Sequence, residues 1–510
     1  MPLSLRALFC FSFSRSFDSI EKTPNNGNNA IRLRSIRRTA TRACVPSPRL
    51  KELSAPRSLS PSPPSESDTA STCTWTCSHA SDTETRVTAT SATGEGFSTT
   101  SGALTKLPTF PRHEGGPPYV PILQADGTLK PPQISFDGYG LFGGWFAPES
   151  IMGFLIELTG FFEATVSDPS FWNEYATYQR PQHTPLQMAR KLTALAGGAT
   201  IWLKREDQND YGSHKTRNII GQLLLARRMG VAEIVTDCAS AKHGNFTAAM
   251  CARLGLRCVI VMGADDAQAQ PEDVLEMKML GAKVLTARTP SGMGSLRAAI
   301  TEAFSYSVRN YETTYYLMGG PVGPSPLPTI TRTFQALLGE EVAAQMHKAT
   351  GCQPDAIVTA VGSGSGAVGI FRPFLESPGV RLIGVEAANA AALTKGSIGV
   401  LQGARTLMLQ NHDGQIIDSQ SISPDMNLST VGPEVAHWKE SGRVEIRTAT
   451  DADALDGFKS LQHHEGFLPG LDSSHAVNRA IEIAKELGPG KNLVLLVTGC
   501  DTIGIRGLYV

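Results

Sequence analysis

From about Pro131 onward, short apolar runs alternate with longer stretches of helical periodicity. No other feature of this 510-residue chain constrains its fold as strongly. The runs are Ile201–Leu203, Ile234–Thr236, Cys258–Met262, Val284–Thr286, Ala356–Val361, Leu382–Val385 and Leu493–Val497. Most are bounded by glycine or polar residues, as strands buried on both faces of a parallel sheet are. Helical patterns are read at His214–Arg228, Asn245–Leu254, Asp273–Leu280, Ile330–Ala349, Ala452–His463 and Ser474–Leu487. Strand alternating with helix predicts a doubly wound α/β architecture. Roughly 380 residues are many for one such sheet, so two α/β lobes are expected. Ligands in this class sit at the carboxyl ends of strands, between lobes.

The part before Pro131 reads differently. Residues 1–50 carry nine Lys or Arg against two Asp or Glu, and residues 51–100 contain 22 Ser or Thr. Such a stretch lacks the apolar surface to offset chain entropy, so residues 1–112 are expected to be a disordered leader and 113–510 the catalytic region. The Arg- and Ser-rich first 42 residues leave an organellar transit peptide as one reading, a plain extension or misplaced start as the other. Cys73 and Cys77 with His79 lack a second ligand pair at zinc spacing. Nine cysteines without metal or disulfide spacing fit a reducing, cytoplasmic location. A net charge of −1 gives no global field for nucleic acid, and no run of 18 apolar residues marks a membrane span. No nucleic-acid or membrane partner is therefore expected.

Two local motifs carry chemistry. Gly362-Ser363-Gly364-Ser365-Gly366 follows a predicted strand and opens a predicted helix, an arrangement that lets backbone approach an anion. Gly364, Gly366 and Gly369 also match G-x-G-x-x-G, and Glu386 ends the next strand where a dinucleotide fold places its ribose acid. On these residues alone, a dinucleotide site, a general phosphate cradle and a ligand-free tight turn all stand. The second motif is Gly212-Ser213-His214-Lys215 at the start of an apolar helix, with Ser213 as expected N-cap. Lys215 would face the positive end of the helix dipole. It reads either as a solvated surface lysine or as a Schiff-base lysine whose depressed pKa frees the amine.

With these in place, the chain from about Phe136 resembles the β subunit of tryptophan synthase, a two-lobed fold-type-II pyridoxal phosphate enzyme. The matching stretches keep order and spacing. They include Phe142-Gly143-Gly144, Leu203-Lys204-Arg205-Glu206-Asp207, His214-Lys215-Thr216, Lys242-His243-Gly244, Gly364-Ser365, Val431-Gly432-Pro433, His464-Glu465-Gly466 and Ser473-Ser474-His475-Ala476. The resemblance implies pyridoxal phosphate on Lys215, with His214 near its phosphate and Gly362, Ser363, Gly364, Ser365 and Gly366 as the phosphate loop. Gly366 replaces an asparagine. Thr498 stands where the family has a serine bonded to the pyridine nitrogen, which implies elimination and replacement rather than transamination. Asp472 replaces a glutamate near the ring. Residues of about 230–319 match a mobile lid. A homodimer and a monovalent cation held by backbone carbonyls belong to the same expectation.

The departures cluster at the substrate. Asp237 stands in place of the catalytic glutamate, its carboxyl about 1.5 Å shorter in reach. The family's Thr-Gly-Ala-Gly-Gln-His carboxylate-binding loop reads Cys238-Ala239-Ser240-Ala241-Lys242-His243. The family's lid-locking ion pair aligns with Ala269 and Asn427, and Cys500 with an arginine. A divergent paralogue is expected, one that performs β-elimination and β-replacement on a serine-like amino acid with a small nucleophile. Alternatives are a genuine tryptophan synthase β chain using indole and serine, and a silent binding protein. Residues 1–112 are too few for an α-subunit barrel of about 250 residues, so no fused indole source is expected. His463, His464 and His475 are read as structural, Asp265 and Asp266 as a solvated loop.

Overall fold

The computed structural model describes residues 139–179 and 183–500, with the backbone of a short antiparallel pair, Ile122–Leu123 and Leu129–Lys130. The leader (1–112) and its Cys73/Cys77 pair lie outside the described residues.

The apolar runs become two sheets. Lys283–Ala287, Arg257–Gly263, Glu233–Cys238 and Thr314–Leu317 form an all-parallel four-stranded sheet in that order. Glu445–Ala449, Arg381–Ala387, Ala356–Ala360, Asn492–Val497 and Thr200–Arg205 form a parallel sheet, edged by the antiparallel strand Leu186–Met188. The smaller sheet is contained wholly in the chain between Thr200–Arg205 and Ala356–Ala360, which pair with the same central strand of the larger. That makes the two-lobed α/β fold.

Side-chain alternation explains the layers. Along Asn492–Val497, Leu493, Leu495 and Val497 join one apolar core, while Val494 and Leu496 join the core on the opposite face. A third core packs helices Thr216–Arg228 and Ala241–Leu254 against Ile234, Val235, Val259 and Val261 of the smaller sheet. The helix over Met152–Ser167, with the single turn before it, is apolar and long enough by composition to cross a membrane. Leu155, Leu158 and Phe162 on it are buried.

The predicted helix Ile330–Ala349 is two helices, Leu327–Gln335 and Leu337–Thr350. The break lies at Ala336; three residues on, a Cβ at Gly339 would come within 2.7 Å of the Gly369 carbonyl oxygen. The helix expected from His214 begins at Thr216. The strands Thr314–Leu317, Glu445–Ala449 and Leu186–Met188 and the hairpin Ser397–Leu401/Ala404–Met408 were not marked by the apolar pattern.

Candidate active site

Strand Thr200–Arg205 leads to Lys215 through two single turns, Glu206–Gln208 and Asp210–Gly212. Tyr211 at φ +53° and Gly212 at φ +64° reverse the chain before Ser213. The Ser213 hydroxyl accepts from the Lys215 backbone N–H at 3.2 Å, capping the turn that enters the helix rather than the helix itself. A buried charge cluster fixes the base of this segment. Arg217 donates to both Glu341 carboxylate oxygens at 2.8 Å and to Glu206, and Lys204 Nζ donates to Glu341 at 2.8 Å. The Lys-Arg-Glu-Asp motif is thus an anchor for the helix that begins just after Lys215.

His214 ties this segment to the end of the central strand. Its backbone N–H and Nδ1 both reach the Thr498 carbonyl, at 2.9 and 3.1 Å, and Nε2 lies 2.8 Å from the Ser365 hydroxyl. Burial, then the Lys215 charge, hold His214 below the ordinary histidine range, so the ring is neutral. A carbonyl only accepts, so Nδ1 carries the proton and Nε2 accepts from Ser365.

The glycine loop is shaped by contacts that exclude side chains. Gly364 has φ +101°, and a Cβ there would come within 2.8 Å of Val435 Cγ2. A Cβ on Gly362 would strike the Asp425 carbonyl oxygen. At Gly366 a Cβ would press on Leu496 and Thr359 at 3.2 Å, so the loop has little room for the family's asparagine. Helix Ser365–Ile370 starts directly from this loop. Glu386, the residue in the dinucleotide position, instead accepts from the backbone N–H groups of Leu393 and Thr394, and burial raises its pKa to about 7.

A cavity of about 330 Å³ lies between these pieces, lined by His214, Lys215, the Gly362–Gly366 loop, Asp425, Asp472 and Thr498. The Thr498 hydroxyl donates to Asp472 at 2.5 Å and lies 2.6 Å from the Ser473 hydroxyl. Glycine backbone and Ser365 for a phosphate, an amine for a carbonyl and a hydroxyl at the far end fit pyridoxal phosphate.

Lys215 corrects the expectation of a depressed pKa. Its Nζ lies 2.8 Å from Asp425 Oδ1. Burial pulls the ammonium down, but the Asp425 carboxylate outweighs that and raises the lysine above its ordinary range.

A second cavity of about 320 Å³ shares Lys215, Ser363 and Asp425 with the first and adds Asp237, Ala239, His243, Leu296, Ile300, Gly319 and Gly320. Asp237 Oδ1 accepts from the Tyr316 hydroxyl at 3.0 Å and from the Gly319 N–H at 3.4 Å. Burial raises its pKa over these opposing donors, which favours the protonated acid. His243, pushed down to about 3 by burial and the Lys215 charge, sits with Nε2 2.9 Å from the Thr236 hydroxyl.

Of the expected substrate loop, Ala239 and His243 line this cavity, while Cys238, Ser240, Ala241 and Lys242 are not on its wall. Cys238 Sγ donates to the Ser240 carbonyl at 3.0 Å. The Ala241 N–H donates to Gln270 Oε1 at 2.9 Å and the His243 N–H to the Ser240 carbonyl at 3.3 Å, so two loop donors are already engaged. Asn427 accepts from the Ser419 hydroxyl. The segment expected as a lid is tied down elsewhere: Arg297 and Ser291 both bond to Asp418. Asp265 accepts from the Gly294 N–H at 2.8 Å and pairs with Arg288, whereas Asp266 is half-buried and pushed up to about 8, first by burial and then by Asp425. The pair, expected on a solvated loop, stands on the short helix Ala264–Ala269, with Asp265 exposed. His463 and His464 lie on helix Asp451–Glu465 and His475 on helix Leu471–Leu487. Among the described residues no group of three or more His, Cys, Asp or Glu could hold a metal.

Asp425, Tyr316 and Gln270 escaped the sequence reading. Asp425 alone had a weak marker, its position just ahead of the Val431-Gly432-Pro433 match.

Among curated proteins, the chain is 43% identical over 374 residues to a tryptophan synthase from Saccharomyces cerevisiae. The match covers 71% of this chain and 52% of that relative, so the chain spans about half the relative's length. A family described as pyridoxal-phosphate dependent enzyme matches residues 178–499. With Lys215, the glycine loop and the Thr498 hydroxyl gathered around one cavity, the chain belongs to the pyridoxal-phosphate dependent enzymes.

Proposed function

We propose that the protein removes the β-substituent of a serine-like amino acid and replaces it with a small nucleophile, with a substrate pocket altered from that of a tryptophan synthase β chain. The observation that carries this reading is the meeting of the two cavities at Lys215, with Asp237, its pKa raised by burial, on the wall of the second. Bound pyridoxal phosphate supplies the electron sink that makes the substrate's α-proton acidic. The backbone N–H groups of the glycine loop would hold the phosphate, with His214 fixing Ser365 beside them, and Thr498 would stand at the ring end. Lys215 Nζ anchors the cofactor and then takes the α-proton. Asp237 donates a proton to the departing hydroxyl and recovers one from the incoming nucleophile. Ala239 and His243 shape the amino acid site, while Leu296 and Ile300 give the nucleophile an apolar wall.

That apolar wall, together with the similarity to a protein named tryptophan synthase, favours a second reading in which the nucleophile is indole and the amino acid is serine. Borohydride reduction should fix cofactor on Lys215 alone; label on another lysine removes the site. Specificity is then tested with Asp237→Glu, Ala239→Gly, Ala241→Gly and Lys242→Gln combined, because these neighbours couple. The altered-pocket reading expects kcat/KM for tryptophan formation from serine and indole to rise in the variant. An efficient parent that the variant does not improve establishes the second reading.

A further inference from the structure

We propose that Asp425 is a second working carboxylate of this site, the ionised partner of the Lys215 amine, and that it divides with Asp237 the charge and proton roles of the reaction. The proposal rests on the functional reading above.

Asp425 lies in the single turn Pro424–Met426, and its position is locked from behind. Its backbone carbonyl oxygen packs so closely on Gly362 of the glycine loop that no Cβ fits there, with Met426 Cα also only 3.3 Å from that Cβ position. The backbone that carries the carboxylate is therefore packed against the phosphate loop. Asp425 Oδ1 is 2.8 Å from Lys215 Nζ. Asp425 is the one carboxylate on the walls of both cavities.

Asp237 and Asp425 occupy opposed environments. Asp237 is held by the neutral donors Tyr316 and Gly319, and burial raises its pKa. Burial also acts on Asp425, but the Lys215 charge outweighs it and keeps the carboxylate ionised. Two carboxyls whose environments separate their protonation states are suited to different tasks. When the substrate's Cα–H bond breaks, its proton forms a new N–H bond on Lys215, and the ammonium so created sits against Asp425. Asp237 gives its proton to the hydroxyl as the C–O bond breaks and water leaves. It regains a proton from the nucleophile as the new bond to the β-carbon forms. Asp425 stays ionised throughout. It acts by stabilising the charge on Lys215, and it touches a reacting nitrogen.

The charged and titratable groups facing Lys215 are Asp425, Asp237, Cys238, His214 and His243. Those facing Asp425 include Lys215, His214 and, across the pocket, Asp266, with His243 also within reach of both the lysine and the aspartate. Only Asp425 contacts Nζ directly, so its removal should dominate. An opposite charge at this range typically moves a pKa by about 1–3 units.

The test uses full-length protein, resolved of cofactor and then reloaded, as wild type, Asp425→Asn and Asp425→Glu. Pyridoxal phosphate uptake is followed against pH, with borohydride trapping and peptide mapping to locate the label. Asp425→Asn should lower the uptake midpoint by about 1–3 units, speeding capture near neutral pH while slowing turnover. The kcat loss should be tenfold or more, with the amino acid KM changed under about threefold, and Asp425→Glu should recover part of both. If Asp425→Asn does not fold, Asp425→Ser removes the same charge. Label on Lys215 with an unmoved midpoint overturns the proposal and leaves the site reading standing. Label on another lysine overturns the site reading and the proposal with it.

Discussion

Glu341→Gln should destabilise the protein in a pH-dependent way that identifies the Lys204–Glu206–Arg217–Glu341 cluster as a charged network. Lys204 and Glu206 side chains are fully buried, Arg217 is 5% and Glu341 10% exposed. Solvent screening therefore removes little, unlike in a surface pair. Two cations face two anions, so the substitution leaves Lys204 and Arg217 sharing Glu206 alone, with one excess buried positive charge. Breaking one partner of a buried pair costs about 3–5 kcal/mol, and because the amide oxygen still accepts a hydrogen bond the lower end, about 3 kcal/mol, is expected. With about 2.1 cal/mol/K of unfolding entropy per residue, the roughly 360 described residues give a Tm loss of about 4 °C. The Glu341 carboxyl is buried, which alone would raise its pKa. Arg217, with His183 and Lys204 adding to it, holds it well below the carboxylate range. A depressed folded value contributes stability that is present above the unfolded pKa of about 4.3 and is lost as pH falls through the folded value. Thermal melts of parent and variant at fixed cofactor concentration, from pH 8 down to 3, read this directly. The gap should be full above about pH 5 and close in acid. A gap under 1 °C at neutral pH, or one that persists unchanged at pH 3, refutes the charged-network account.

Three further outcomes are expected. Tyr316→Phe removes a donor that opposes the burial shift on Asp237, so the Asp237 pKa should rise further and the pH limb it controls in kcat/KM should move up, with turnover lower by about tenfold. A double-mutant cycle on Arg297→Ala and Asp418→Asn should give a coupling of about 1 kcal/mol, since both side chains are largely buried, and each variant should speed proteolysis of residues 286–300; additive effects dissolve the tie. Gly364→Ala forces a Cβ into φ +101° and towards Val435, at a cost of about 1–3 kcal/mol, and should release cofactor at lower denaturant than the parent; an unchanged release midpoint removes the strain argument.

The fold was legible where strands were buried on both faces. Every apolar run read as a strand is one, and most are longer at one or both ends because polar residues such as Lys204, Arg205 and Asp237 complete them. Those end residues are also where the chemistry lies, so the apolar pattern stopped one step short of the site. The two edge strands of the larger sheet escaped for the converse reason. Leu186–Met188 and Glu445–Ala449 are only half covered and carry no continuous apolar run. The split at Ala336, whose own backbone is right-handed helical, escaped because no proline or glycine stands at it.

The site was legible in its contiguous parts and opaque in its contacts. The glycine loop and the Ser-His-Lys turn announce their backbone geometry locally. Asp425 lies 210 residues from the lysine it pairs with, and Ser365 lies 151 from His214. The error over Lys215 shows what that distance does. A helix dipole amounts to about half a charge spread over the N-terminal turn, and it argues for a depressed lysine pKa. One full carboxylate at 2.8 Å is larger and closer than that half charge, so the direction reverses. Local sequence supplies the weaker field and tertiary structure the stronger one. The protonation state of a catalytic residue is therefore among the last properties that a motif can fix, even when the motif identifies the residue itself.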